Sequence, residues 1–157
     1  MLKYLWFLFC GLCFSQTQLP VETHYFLSPG IKIGYSLGEN GGFTYGFEVS
    51  YVITGQHNLD PAYGFVLDYD WFGKSRKLHL GVEFMRLLGG IDIGPTLVWT
   101  NEQLVIGGSV IPFFKFLAAP YINFSYLHNN ETLFEVGTYL KAPIQTDIYY
   151  YNWKGSD

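Results

Sequence analysis

Charged residues are scarce in this sequence. Asp, Glu, Lys and Arg make up 14% of the 157 residues, whereas soluble domains carry roughly 25%. Lys and Arg number 9 and Asp and Glu number 13, so the net charge is −4, and no basic run exists that could neutralise phosphates. The composition excludes a nucleic-acid-binding protein, and it leaves the surface short of the groups that usually keep a domain soluble.

Long hydrophobic runs are also missing after the N-terminus. A membrane-spanning helix needs about 20 consecutive apolar residues, so a helical multi-span membrane protein is excluded. Disorder is excluded too, because 49% of the residues are hydrophobic and 20% are aromatic, and disordered chains have few of either. The length suits one domain. We therefore expect a single aromatic, glycine-rich and charge-poor β-domain.

Cysteine occurs only near the N-terminus, at Cys10 and Cys13. Both lie in residues 1–15, where one lysine precedes an apolar core of about 11 residues and Ser15 precedes a polar stretch, which is the pattern of a secretory signal peptide. We expect cleavage after Ser15, with a retained single anchor as the alternative. A mature chain without cysteine has no disulfide, thiol nucleophile or cysteine-ligated metal.

After a lead-in at residues 16–30, residues 31–142 repeat one pattern: about ten residues that alternate between apolar and polar, then a short turn. Alternation with period 2 is strand geometry, and no segment has a helical pattern. About ten residues is also the length that a tilted strand needs to cross a bilayer, and an even number of antiparallel strands closes without an edge. The predicted strands are 31–38, 43–54, 63–72, 77–87, 91–100, 103–114, 118–127 and 132–142. The sequence therefore predicts an all-β fold, an eight-stranded antiparallel up-and-down transmembrane β-barrel.

The glycines indicate which face of the strands points inward. Gly46, Gly64, Gly81 and Gly94 fall on the polar face of their strands, and glycine suits places where space is tight. An eight-stranded barrel has an interior just wide enough for side chains, and the rings of the apolar face would overfill it. We therefore predict that the polar face lines the lumen and that the apolar face contacts the hydrocarbon core of a bilayer, which is about 30 Å thick.

This orientation defines two sets of residues. Buried charges are costly unless paired, so we expect the lumen set to form a closed polar plug, in which Lys115, Arg86 or His79 helps to balance the carboxylates or a carboxyl group holds a proton. The predicted lumen set is Lys32, Glu48, Asp68, Asp70, His79, Glu83, Asp92, Glu135 and Lys141. The predicted membrane-facing aromatics, some of them near strand ends as in interfacial girdles, are Phe43, Tyr45, Phe47, Tyr51, Tyr63, Phe65, Tyr69, Trp71, Phe84, Trp99, Phe124, Tyr126 and Phe134.

Among the later strands, residues 94–99 read Gly-Pro-Thr-Leu-Val-Trp and residues 120–127 read Pro-Tyr-Ile-Asn-Phe-Ser-Tyr-Leu. With these segments, the signal peptide and the eight amphipathic strands resemble the small outer-membrane β-barrels of Gram-negative bacteria, of the OmpA/OmpX type. The resemblance implies a cell-envelope protein located in the outer membrane, a monomer whose partner is lipid. Such chains commonly end in an aromatic strand that the insertion machinery reads. Here residues 143–157 follow the last predicted strand, and either residues 148–153 serve as that signal or the last strand extends further.

Several other functions compete with a structural role. A secreted lipocalin-like barrel would hold an apolar ligand. A lipid-modifying outer-membrane enzyme would resemble the lipid A deacylases, which have a His-x-Ser-Asn pattern. The corresponding residues here are His128-Asn129-Asn130, which lack the nucleophilic serine. Ser125 cannot replace it, because on a strand it lies on the opposite face from position 128. Adhesion through loops 55–62 and 128–132 would need longer loops. Asp68 and Asp70 lack the oxygen-rich loop of a calcium site. We expect no catalysis, no metal and no cofactor.

Overall fold

The computed structural model of the chain describes residues 23–37, 41–55, 61–100, 103–114 and 118–146. The predicted signal peptide and residues 148–153, the candidate insertion signal, lie outside the described residues. The described residues form strands and turns, and they include no helix that is long and apolar enough to cross a membrane.

Eight long strands follow one another along the described chain, and each pairs antiparallel with its sequence neighbours. β1 pairs with β8 as well as with β2, which closes the sheet. The strands are β1 Thr23–Leu37, β2 Gly42–Gly55, β3 Ala62–Phe72, β4 Ser75–Arg86, β5 Gly89–Trp99, β6 Leu104–Phe114, β7 Ala118–Leu127, β8 Thr132–Lys141 and a short β9, Ile144–Gln145. The predicted all-β, eight-stranded, antiparallel up-and-down barrel is confirmed.

The register between strands sets the shape of the barrel. A path through cross-strand partners that starts at Leu27 crosses every long strand once and returns to β1 at Leu37, ten residues further along. Such a stagger requires the strands to tilt by roughly 35–45°, and with eight strands the interior is then just wide enough for side chains. The register therefore produces a packed lumen.

The first strand is longer than the sequence indicated. β1 begins at Thr23, although the alternation predicted a start at Ile31. Residues 28–30, Ser-Pro-Gly, have the composition of a turn, yet they pair with residues 48–50 of β2. Their pairing with a neighbouring strand outweighs the local turn preference.

The barrel also closes beyond the predicted end of the last strand at Ala142. β9 pairs with β1 in the register that β8 has, since Gly30 faces Lys141 and Leu27 faces Ile144. Pro143 separates the two strands because it has no N–H to donate. The Ala142 N–H still donates to the Pro29 carbonyl over 2.9 Å. β8 and β9 are thus one strand interrupted by a proline.

Inside the barrel, two apolar layers enclose a polar middle. We call the end where β1 begins and β8 ends the terminal end, and the end with the β1–β2, β3–β4, β5–β6 and β7–β8 connections the hairpin end. The layer at the terminal end consists of Ala62, Met85, Ile111, Phe113, Ala119, Tyr121 and Tyr139, with Val52 against it. The layer at the hairpin end consists of Phe72, Val98, Val105 and Leu127, with Leu133 against it.

Candidate functional site

The polar middle of the barrel contains all nine residues of the predicted lumen set. Eight of them are at most 4% exposed, and Lys141 is half-buried. The structure adds Lys77, which is 1% exposed. The prediction omitted Lys77 because it stood at the first position of its predicted strand. It nevertheless shares the strand face of His79, so the alternation contained the signal.

The largest cluster interleaves two lysines with three carboxylates. The Lys32 ammonium donates to Asp68 Oδ2 and Asp70 Oδ2, at 2.8 Å each, and lies 3.2 Å from Glu135 Oε1. Lys77 Nζ lies 2.9 Å from Asp70 Oδ2 and 2.5 Å from Glu135 Oε2. Four strands supply these side chains, so the cluster ties opposite sides of the wall together. Coulomb energies at such separations are large in a poorly solvated interior.

Two tyrosines from the terminal-end apolar layer complete this cluster. Tyr121 donates its hydroxyl to Glu135, and Tyr139 donates to Asp68 Oδ2 over 3.4 Å. Lys32 Nζ lies 4.8 Å from the ring centroid of Tyr121 and 5.4 Å from that of Tyr139. The prediction missed both tyrosines, although Tyr121 shares the face of Asn123 and Tyr139 shares the face of Glu135.

A second cluster surrounds Lys141 near the terminal end. The Lys141 ammonium pairs with Glu48 and lies 3.7 Å from Glu83 Oε2. Ser50 donates to Glu48 Oε1 over 2.8 Å. Lys141 Nζ also lies 5.3 Å from the ring centroid of Phe113, within reach of a cation–π attraction.

The third cluster is a hydrogen-bonded chain in which a histidine links a carboxylate to a series of hydroxyl groups. His79 contacts Asp92 Oδ2 through Nε2 and Thr96 Oγ1 through Nδ1, both at 3.0 Å. The chain continues from Thr96 to Ser109 over 2.5 Å and from Ser109 to Ser125 over 2.7 Å. Ser125 then donates to the side-chain oxygen of Asn123.

Glycines make room for the interior carboxylates. Gly64 faces Glu83 across β3 and β4, and a Cβ added at Gly64 would lie 2.5 Å from Glu83 Oε1. At Gly34 an added Cβ would lie 2.6 Å from the Tyr121 hydroxyl oxygen. The outward Gly108 has its nearest neighbour at 3.9 Å. The inward-facing glycines therefore leave space that large polar side chains of neighbouring strands occupy.

Carboxylates outnumber the described cations that face them. Six carboxylates stand against Lys32, Lys77 and Lys141. Five carboxylate oxygens, on Asp68, Asp70, Glu83 and Asp92, have no hydrogen-bond donor among the described residues. The expected help from Arg86 is wrong, because Arg86 is exposed at the end of β4, on the opposite face from Met85. Lys115 lies outside the described residues.

The outer face is apolar around the whole barrel. The path from Leu27 to Leu37 runs entirely through outward-facing apolar residues: Leu27, Tyr51, Phe65, Val82, Ile93, Val110, Phe124, Phe134 and Leu37. Of the predicted membrane-facing aromatics, those exposed on the outside are Phe43, Tyr45, Phe47, Tyr51, Phe65, Phe84, Phe124 and Tyr126. Those half-buried between outward neighbours are Tyr63, Tyr69, Trp71, Trp99 and Phe134.

Charged residues on this outer face occur only at strand ends, within the strands that the structure describes. Arg76 and Arg86 are exposed near the two ends of β4. The outward positions between them are Leu78, Leu80, Val82 and Phe84. All acidic residues of the described strands belong to the buried set. Between the strand ends, the described barrel thus has its charged side chains inside and apolar side chains outside.

The residues considered for catalysis and metal binding do not come together. Ser125 is buried in the lumen, whereas His128 is exposed in the turn between β7 and β8. Asp68 and Asp70 both direct one oxygen to Lys32. Across residues 23–146, leaving aside the undescribed gaps, no group of three or more His, Cys, Asp or Glu side chains has the geometry of a metal site.

Comparison with known proteins leaves the fold as the basis for inference. No protein-family model and no curated protein matches this chain. The closed eight-stranded antiparallel barrel is compatible with the OmpX-like architecture that the sequence resembles.

Proposed function

We propose that this chain is an integral outer-membrane β-barrel protein of the Gram-negative cell envelope, exported by a signal peptide. Its role is structural or envelope-associated, its interior is a closed polar plug, and it carries out no catalysis and needs no cofactor. The observation that supports this proposal is the uninterrupted apolar circuit on the outer face, combined with ionisable residues in the lumen.

The dimensions of the apolar surface suit a bilayer. The apolar stretch of β4 lies between Arg76 and Arg86. At about 3.3 Å per residue and a tilt of about 40°, it covers about 25 Å along the barrel axis, and the lipid-facing band of membrane barrels is about 25 Å tall. Soluble monomers rarely expose contiguous apolar patches larger than a few hundred Å². Lipid is the solvent that suits this surface.

The interior supports the same proposal over a lipocalin-like barrel. A closed barrel by itself suits both functions, but a carrier of apolar ligands needs an apolar cavity. The middle of this lumen is filled by Lys32, Lys77, Asp68, Asp70 and Glu135 in mutual contact. These groups would be left without partners if a ligand displaced them.

Fractionation of the full-length protein tests the proposal. We expect it in the outer-membrane fraction, and we expect the unboiled and boiled samples to migrate differently on a denaturing gel, as folded membrane barrels do. Recovery as a soluble periplasmic protein would overturn the proposal in favour of the lipocalin-like barrel.

A pair of arginine variants makes the test independent of expression level. Phe47, which is 58% exposed, lies at the middle of the outward face of β2, and Phe43 lies at its hairpin end. In a bilayer, Phe47→Arg costs about 2–4 kcal/mol and Phe43→Arg about 0–1 kcal/mol. In water both variants leave stability almost unchanged, because both side chains are outside the core. Equal stability of the two variants in urea unfolding from vesicles would contradict the proposal.

A further inference from the structure

A pocket with two cations interrupts the apolar outer face at the hairpin end. The pocket has a volume of about 400 Å³ and is lined by Tyr69, Lys74, Arg76, Trp99 and Thr100. Lys74 lies in the β3–β4 turn and Arg76 at the start of β4, and both are exposed. The pocket therefore lies at the hairpin-end border of the apolar outer face, beside the two exposed cations.

Aromatic residues flank the arginine on both sides. Arg76 pairs in register with Trp71 of β3 and with Trp99 of β5. Trp71 in turn stacks on Tyr45, with ring centroids 5.5 Å apart. Trp and Tyr collect at the level of lipid headgroups in membrane proteins, so this row marks that level on the barrel.

The two cations have no acidic partner in the described part of the chain. Each interior lysine, Lys32, Lys77 and Lys141, forms ion pairs, whereas Lys74 and Arg76 form none with a described residue. The acids of the described strands all point into the lumen. The pocket therefore presents two positive charges, which an anion from outside the described chain can balance.

We infer that this pocket binds the phosphate of a negatively charged lipid headgroup. The inference rests on the proposed membrane location. The guanidinium of Arg76 can hold two phosphate oxygens through parallel N–H donors, and the Lys74 ammonium supplies a further positive charge. Below the pocket, the outward side chains of Leu78, Leu80 and Leu97 form an apolar track for the acyl chains. Because the track continues from the pocket, a lipid fits it better than free phosphate does.

The opposite end of β4 supplies a matched control. Arg86 is exposed at the terminal end and pairs in register with Gly89 of β5. It therefore has the same charge as Arg76 without the two flanking tryptophans. A variant at Arg86 changes the net charge of the barrel as Arg76→Gln does but leaves the pocket intact.

Native mass spectrometry of the refolded full-length protein tests the inference. The protein is released from mixed micelles that contain equal amounts of phosphatidylglycerol and phosphatidylcholine, and the lipids retained are counted. We expect the wild type to retain phosphatidylglycerol preferentially. Because a cation near an anionic lipid contributes about fivefold in affinity, Arg76→Gln should lower this preference about fivefold and Lys74→Gln with Arg76→Gln should lower it further. Arg86→Gln, which changes the net charge as Arg76→Gln does, should keep the preference.

The outcomes separate this inference from the proposed function. Equal retention of the two lipids by a barrel that inserts into membranes overturns the inference alone, and so does an equal loss of preference in the Arg86→Gln variant. Displacement of the retained lipid by millimolar inorganic phosphate would assign the pocket to a free anion and overturn the lipid. A protein recovered outside the membrane fraction overturns both. The variants touch no buried side chain, and the shift between unboiled and boiled samples verifies that each is folded.

Discussion

Gly94 and Gly108 are neighbours in the barrel wall, but only Gly108 has room for a side chain. Gly94 points inward, and a Cβ added there would lie 2.8 Å from the Gly81 Cα, which belongs to the backbone and cannot swing away. Gly108 points outward, and the nearest atom to an added Cβ is 3.9 Å away. The same substitution therefore has opposite expectations at two adjacent places.

We expect Gly94→Ala to destabilise the barrel by about 1–3 kcal/mol, the usual cost of overpacking. Gly108→Ala should be neutral or should stabilise by up to about 1 kcal/mol, because alanine restricts the unfolded chain. Urea unfolding of the refolded protein, followed by tryptophan fluorescence, measures both. If Gly94→Ala were as stable as Gly108→Ala, the interior beside Gly94 would have room for a side chain, which would contradict the close approach of the Gly81 backbone.

The central ion pairs allow a second prediction at the residue scale. Lys32→Met leaves Asp68 and Asp70 without the ammonium that both contact, and breaking a buried pair costs about 3–5 kcal/mol. Lys32→Met combined with Asp68→Asn removes one stranded charge and should recover part of that loss. A double variant whose loss equals the sum of the losses in Lys32→Met and in Asp68→Asn, each measured alone, would show that the pair contributes nothing beyond the two separate substitutions.

Once the strand that contains a residue is known, the alternation predicts the face on which that residue lies. Glu48, Glu83 and Glu135 could be placed in the lumen from their neighbours in sequence. Lys77 was missed because facing depends on where a strand begins, and strand ends are weakly encoded. The partners of each charge could not be predicted, since the pairing of Lys32 with Asp68 depends on a register shared by three strands.

At the scale of the element, the seam between the first and last strands differs most from the expectation. The local sequence at 28–30 indicates a turn, and Pro143 indicates an end, yet both segments lie in the closed sheet. Sequence-local preferences are weak where a strand has neighbours on both sides. The seam is therefore the part of the fold that sequence reasoning could least define.

A cysteine pair can check the seam directly. Phe26 and Gln145 face each other between β1 and β9. Hydrogen bonds join Thr146 to Tyr25 and Ala142 to Pro29. Because hydrogen-bonded and non-hydrogen-bonded pairs alternate in an antiparallel ladder, Phe26 and Gln145 form a non-hydrogen-bonded pair. Cross-strand partners at such positions have Cβ atoms about 4.5–5.5 Å apart. We expect Phe26→Cys with Gln145→Cys to form a disulfide upon mild oxidation of the folded protein.

The control for this pair replaces Gln145→Cys by Thr132→Cys, at the far end of β8. This control should stay reduced, and non-reducing gel electrophoresis distinguishes the two proteins. Failure of the 26/145 pair to cross-link in a folded sample would contradict the closure of the sheet past Pro143.

At the scale of the whole molecule, the two apolar layers and the ion-paired middle block the lumen in series. We expect the purified protein in planar bilayers to give no stepwise current. Truncation of the hairpin-end layer with Phe72→Ala and Leu127→Ala should leave the lumen closed, because the cluster of Lys32 and Lys77 with their carboxylates lies behind that layer. Stepwise currents from the wild-type protein, recorded beside a porin as the positive control, would show an open channel.

Closure between β1 and β8 also constrains the order of assembly. The pairing that completes the cylinder runs from Gly30 opposite Lys141 to Leu37 opposite Phe134, so the two ends of the sheet meet across almost the entire length of the domain. Contacts so distant in sequence form slowly. Until residues 132–145 arrive, the growing sheet keeps an unpaired edge beside exposed aromatic rings, and we expect the nascent protein to be prone to aggregation until the sheet closes.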